Sequence, residues 1–234
     1  MTPNLSTENR LESRTENLAE KSSANHAENR FEKPLSPRVL VAHPRPPETY
    51  LRALDLVSLG YDCSLSPENL NAYGGLLLVG GGDVLPAFYR GDVPVRNVNF
   101  VKDKLEFDLL DYFVGKGLPV LAICRGFQLV NVFFGGTLKN VNGHSGKTDV
   151  YHPVSACGKI FGGLARVNSA HCQAVDIVPD DAKIVAVAPD LTIEAAIYGE
   201  NIVCAQFHPE RMERSVTEKI FGAFAAAVRK SVAF

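Results

Sequence analysis

No apolar run in these 234 residues approaches the ~20 that a membrane-spanning helix requires. Neither sign of charge is in surplus. With 24 Lys and Arg against 26 Asp and Glu the net charge is −2, so the excess cations that non-specific nucleic-acid binding needs to displace counterions are missing. The first thirty residues hold no continuous apolar core, which argues against a secretory signal, and the six glutamates in 1–37 argue against a mitochondrial transit peptide. Cysteine is sparse as well: Cys63, Cys124, Cys157, Cys172 and Cys204 form an odd, widely spaced set with no CxxC pair. Such a set is neither a disulfide framework nor a zinc cluster, and it suits a reducing cytosol. A 46% hydrophobic and 21% charged composition is that of an ordinary globular chain, with length for one large domain or two small ones.

Residues 1–37 stand apart. Leu5, Leu11, Leu18, Phe31 and Leu35 are the only larger apolar residues there, too few to bury a core, so a disordered polar tail is expected. Glu8, Glu12, Glu16 and Glu20 would stack like charges on one helix face and weaken any helix. From Arg38 the pattern becomes one of alternation. Short apolar runs at 39–42, 76–79 and 119–123 read as buried strands. Helical spacing follows each: Leu51, Leu54 and Val57–Ser58 up to Gly60, then 101–114, then 125–134. Continuous apolar strands separated by helices predict a mostly parallel central sheet covered on both faces, an α/β domain over 38–234. Shorter β-like runs lie at 165–168, 183–188, 192–197 and 202–207. A last helix at about 215–230 opens on the capping-box pattern Ser215-x-x-Glu218.

Cys124 falls at the junction of the 119–123 strand and the 125–134 helix, in Ala-Ile-Cys-Arg-Gly. A strand-to-helix elbow projects its central residue at the carboxyl edge of the sheet, and crowding there requires small neighbours, which Ala122 and Gly126 supply. The helix amino terminus favours a thiolate, and this edge is where open α/β sheets bind ligands. The competing assignment is a buried, inert thiol. A thiol nucleophile needs a base and a group to orient that base. His208 ends the apolar run 202–207, and Glu210 lies two residues on, sharing its face if the chain is extended. By itself, His-Pro-Glu reads more readily as an exposed histidine beside a chance carboxylate. Gly80-Gly81-Gly82-Asp83 also follows a buried strand, and its amides offer either an oxyanion hole or a mere turn. A phosphate cradle is disfavoured, because GxxxxGK[ST] is absent and Leu85 stands where GxGxxG needs its last glycine.

Order and spacing together are more specific. The chain resembles the class I glutamine amidotransferase-like superfamily, and within it the γ-glutamyl-γ-aminobutyrate hydrolase and γ-glutamyl hydrolase branch. The resemblance covers about 38–228 and rests on Leu77–Val84 with Pro86 and Tyr89, and on Pro119–Gln128 with Asn131 and Gly135–Leu138. It continues through Val167–Gln173, Ile193–Ala195 and Gln206–Glu210. It implies a flavodoxin-like architecture with a nucleophile elbow and a Cys-His-Glu triad at Cys124, His208 and Glu210. It also implies an oxyanion hole from the Gly81 and Arg125 amides, and γ-glutamyl recognition by Gln128, Asn168, Ser169 and His171. His171 could instead orient its loop. His152 matches a structural position; His43 and His144 receive no role.

Several departures bear on substrate identity more than on chemistry: Val79 for a proline, Ala122 for a glycine, Cys172 after His171, Lys102-Asp103-x-x-Glu106 for Arg-Asp-x-x-Glu, and a short 43–75 segment. The implied activity is cytoplasmic hydrolysis of a small γ-glutamyl amide through a thioester, with no cofactor and no metal. No nucleic-acid or membrane partner is expected, and a homodimer is compatible with the pattern. The alternatives are a glutaminase subunit feeding ammonia to a synthase partner and a non-catalytic scaffold of the same fold.

Overall fold

The computed structural model describes residues 37–89, 91, 94–146 and 149–233. The polar tail expected over 1–37 lies outside the described residues but for its last one. No helix among the described residues is long and apolar enough to cross a membrane.

The elements run β1 (Val39–Val41), α1 (Glu48–Leu56), β2 (Tyr61–Cys63), β3 (Gly75–Leu78), α2 (Phe100–Gly115), β4 (Val120–Ile123), α3 (Arg125–Phe133), β5 (Leu138–Asn140), β6 (Val150–Pro153), β7 (Ser155–Ala156), α4 (Gly158–Phe161), β8 (Arg166–Ser169), β9 (Gln173–Val175), β10 (Ala182–Val187), β11 (Ile193–Tyr198), β12 (Ile202–Ala205) and α5 (Arg214–Val232). Eight strands form the main sheet in the order β2-β1-β3-β4-β12-β11-β10-β7. The five strands from β2 to β12 are parallel, and the three beyond β12 continue the sheet antiparallel. Two small antiparallel ribbons, β5–β9 and β6–β8, lie apart from this sheet.

The apolar runs are continuous because both sheet faces are buried. Val39, Leu77, Leu121 and Ile123 pack with Tyr50 and Leu54 of α1 and Phe221, Phe224 and Val228 of α5. Their neighbours Leu40, Leu76, Leu78 and Val120 pack with Leu109 and Phe113 of α2 and Phe127 and Val130 of α3 on the other face. Successive strand residues point to opposite faces, so each run feeds two cores.

Local readings differ at four places. Helix α1 stops at Leu56, short of Gly60, and Ser58 turns to φ 52°. Tyr61–Cys63 is a half-exposed edge strand with no apolar signature of its own; pairing with β1 makes it β. The 165–168 run becomes β8, which pairs with β6 rather than joining the main sheet. The capping box does not form. Helix α5 starts at Arg214 with no side-chain cap, and Glu218 instead pairs with Arg214 at 2.7 Å one turn away.

Candidate active site

Strands β3, β4 and β12 are adjacent and parallel, with Leu78 opposite Ala122 and Ala205 opposite Ile123. Their carboxyl ends therefore open on one edge. There the chain continues as Gly80–Gly82, Cys124 and Phe207–His208, so segments far apart in the chain meet through register alone.

Cys124 has φ 55° and ψ −109°, the strained conformation of an elbow, and caps α3. Its amide donates to the Ala205 carbonyl at 2.7 Å, tying the turn to β12. Gly126 is required here, since a Cβ would come within 2.6 Å of the Leu78 carbonyl oxygen where α3 crosses β3. Gly80 is tight for a different reason, as a Cβ would lie 3.0 Å from both His208 Cε1 and Tyr50 Oη.

His208 hydrogen-bonds the Cys124 side chain, and its Nδ1 lies 2.7 Å from Glu210 Oε1. The pairing anticipated from an extended chain is achieved by a different backbone: Pro209–Arg211 is a turn of 3₁₀ helix, yet the carboxylate still reaches the ring. Burial works to lower the His208 pKa. The Cys124 sulfur and the Glu210 carboxylate outweigh it and carry the ring up to about 10, so His208 is an imidazolium at neutral pH. Glu210 Oε2 is buried and without a hydrogen bond.

Tyr50, on α1, was not apparent from the sequence because its position reads as ordinary helix core. Its hydroxyl accepts from the Gly80 amide at 3.0 Å and lies 3.3 Å from His208 Nδ1. Burial first, then Glu210 and Cys124, push its pKa well above the usual phenol value, so it stays neutral. The Gly80 amide is thereby engaged within the protein, while Gly81 lines the cavity that Cys124 also lines. Arg125 is the first residue of α3, where amides have no intrahelical carbonyl. Its side chain points away into a buried ion group, pairing with Asp103 and Glu106, while Lys102 joins Glu106 at 2.7 Å. The unusual Lys102-Asp103-x-x-Glu106 string thus anchors the residue after the cysteine. The Arg125 stem also packs on Gly81, whose added Cβ would sit 3.1 Å from Arg125 Cδ.

A cavity of about 290 Å³ opens over the sulfur, lined among others by Tyr50, Gly81, Cys124, Ala170, His208 and Arg211. Arg211 is held by Asp149 at 2.9 Å, an arrangement with no sequence signal. The four residues expected to grip a glutamyl head lie behind this cavity, all buried. Gln128 donates to the Gln173 carbonyl at 2.5 Å. Asn168 accepts from the His208 amide at 2.9 Å and donates to the His208 carbonyl at 3.0 Å. Ser169 donates to the His144 carbonyl at 2.9 Å, and His171 Nδ1 lies 3.1 Å from the Gln173 carbonyl.

Known proteins share this arrangement of elements. Two solved structures share the fold: a provisionally named GMP synthase component of Thermoplasma acidophilum (TM-score 0.65, 20% identity, 82% of this chain and 94% of that one), and a glutamine amidotransferase of Thermotoga maritima (TM-score 0.58, 20% identity, 84% and 86%). By sequence the chain is 36% identical over 161 residues to a protein provisionally named glutamine amidotransferase in Mycobacterium tuberculosis, 61% of this chain and 52% of that protein. It is 28% identical over 163 residues to a protein of Schizosaccharomyces pombe with the same provisional name, 62% and 63%. It is also 28% identical over 137 residues to the γ-glutamyl-CDP-amidate hydrolase of Campylobacter jejuni, 58% and 62%. The chain thus spans less than two thirds of the length of these three relatives. The Peptidase C26 family matches residues 56–210, from the end of α1 to the turn that carries Glu210. On that match the chain belongs to the Peptidase C26 family, within the class I glutamine amidotransferase-like proteins.

Proposed function

We propose that this chain is a cysteine hydrolase of γ-glutamyl amide bonds, with γ-glutamyl-γ-aminobutyrate-like compounds as substrates. The observation that carries the reading is His208, bonded to Cys124 on one side and to Glu210 on the other, at the mouth of a cavity. The raised His208 pKa means that the proton needed by the leaving amine is already on the ring. The Cys124 thiolate attacks the side-chain carbonyl carbon, and the carbonyl π pair moves onto oxygen. The Gly81 and Arg125 amides donate to that oxyanion. His208 gives its proton to the nitrogen, the C–N bond breaks, and the amine leaves a γ-glutamyl thioester. Neutral His208 then takes a proton from water, the hydroxide adds to the thioester, and the C–S bond breaks to release glutamate. Glu210 orients the imidazole throughout, and Tyr50 braces its position. Gln128, Asn168 and Ser169 are assigned to glutamyl binding, and His171 to orienting its loop. Arg211 suits the α-carboxylate, since its guanidinium is fixed by Asp149 where it lines the cavity.

A second reading, a glutaminase subunit serving a synthase, draws support from a 34% identity over 132 residues to a GMP synthase of Clostridium acetobutylicum, of which this chain covers 23%. Mass-spectrometric assay of glutamate release from γ-glutamyl-γ-aminobutyrate, other γ-glutamyl amides and glutamine separates the readings. The hydrolase prefers an amide over glutamine without a partner and loses at least about 10⁴-fold in rate with Cys124→Ala. Release from glutamine that appears only with a synthase supports the second reading. Undiminished turnover by Cys124→Ala overturns both.

A further inference from the structure

The mechanism leaves unused a buried cluster beside the active site. His144 lies in the loop after β5, His152 on β6, His171 in the turn between β8 and β9, and Glu194 on β11. No short motif links them, since they are spread over fifty residues of chain, and the cysteine spacing that excludes a zinc cluster does not bear on a set without cysteine. In the fold their side chains converge. The His144 ring centroid is 4.6 Å from that of His152 and 4.9 Å from that of His171. Glu194 is fully buried. Its Oε1 lies 3.2 Å from His152 Nε2, 3.4 Å from His144 Nδ1 and 4.0 Å from His171 Nε2. None of these contacts is a hydrogen bond: both Glu194 oxygens, His152 Nε2 and His171 Nε2 are buried without a hydrogen-bond partner.

The outer ring nitrogens explain why. His171 Nδ1 faces the Gln173 carbonyl at 3.1 Å, an acceptor only, so the proton sits on Nδ1 and Nε2 carries a bare lone pair. His144 Nε2 lies 2.9 Å from Asp190 Oδ2, and its Nδ1 lies 3.1 Å from Ser169 Oγ, a bond that a metal ion would replace. The His171 lone pair and the unpaired Glu194 carboxylate therefore face one another with His144 beside them, all three ligand atoms within 4.8 Å. Acceptors do not pack against acceptors in a low-dielectric interior without a cation between them.

The geometry points to a divalent metal site for a borderline cation such as Zn²⁺, with His144 Nδ1, His171 Nε2 and a Glu194 oxygen as ligands. Metal–ligand bonds of about 2.0–2.1 Å in a tetrahedron set ligand atoms roughly 3.3–3.4 Å apart, close to the spacing seen around Glu194 Oε1. Asp190 and the Gln173 carbonyl supply the outer acceptors that orient metal-bound imidazoles. His152 Nε2 is the candidate for the fourth position, beside a cavity of about 260 Å³ that His144, His152 and Asp190 line. The metal joins the His144 loop, the His171 turn and β11. Ala170, next to His171, lines the Cys124 cavity, and Asn168 holds the His208 backbone. The metal is thus a staple behind the active-site wall and takes no part in the bond changes.

The test uses the purified full chain, stripped with a chelator and titrated with Zn²⁺ against a chromophoric competitor, with Co²⁺ as a spectroscopic probe. One Zn²⁺ per chain should bind and raise the melting temperature, and the Co²⁺ complex should show tetrahedral d–d bands without thiolate charge transfer. Cys124→Ala and Cys172→Ser should bind equally well. Glu194→Gln should weaken binding at least about 100-fold, and Asp190→Asn, at a half-exposed outer position that the fold tolerates more easily, about 10–100-fold. Absence of stoichiometric binding, or binding lost with either cysteine and indifferent to Glu194 and Asp190, overturns the site. These readouts do not depend on hydrolase activity.

Discussion

Two buried ionic groups flank the candidate active site, and they are built in opposite ways. Between α2 and α3, Arg125 meets Asp103 and Glu106, and Lys102 meets Glu106, so two cations face two carboxylates. Around Glu194, one carboxylate faces three imidazoles, yet both of its oxygens and His171 Nε2 are buried without a hydrogen bond. The first group is matched in charge and hydrogen bonds; the second keeps unpaired acceptors, which the proposed cation would match. Burial alone therefore does not define the chemistry of a charged cluster. What decides it is whether donors and acceptors balance inside the cluster.

The contrast can be broken from its closed side first. Arg125→Met should leave Asp103 and Glu106 buried and uncompensated, destabilising the fold by about 3–5 kcal/mol in urea unfolding. A loss under about 1 kcal/mol would mean that water or a proton replaces the guanidinium. The open side predicts the reverse in metal-free protein: Glu194→Gln removes an unmatched carboxylate and should leave the melting temperature unchanged or higher, while abolishing its rise with Zn²⁺.

His208 is an intermediate case, a cation stabilised by the sulfur and carboxylate beside it. Its folded pKa of about 10 exceeds the ordinary value of 6.5. The stability it contributes is therefore fully present below about pH 6.5 and is lost as pH rises through about 10. NMR titration of the ring should find that midpoint in the wild type and a lower one in Cys124→Ala, where the sulfur is gone. The smallest effect belongs to the exposed pair Arg38–Asp62 at 2.8 Å, across β1 and β2. Asp62→Asn should shift stability by no more than about 1 kcal/mol, and less in high salt.

The parallel core was legible because strands buried on both faces cannot hide their composition: Val39–Val41, Leu76–Leu78 and Val120–Ile123 are apolar at every position. Cys124 was legible because an elbow demands a strand, small neighbours and a helix in immediate succession. The edge strand Tyr61–Cys63 and the ribbon strand Val150–Pro153 were not, since both are half-exposed and owe their conformation to their partners. The Ser215 signal misled because a capping box needs a helix that starts just after the serine, and α5 starts one residue before it.

The sequence by itself determined the α/β class and the elbow that carries Cys124, because each depends on residues adjacent in the chain, while it only suggested the His208–Glu210 pair, which a 3₁₀ turn makes. Tertiary structure alone decided that Tyr50 braces Gly80 and His208, that Arg211 lines the cavity, and that His144, His171 and Glu194 come together. Those relations come from strand order and loop packing between distant segments, and a buried acceptor is unmatched only once its neighbours are known.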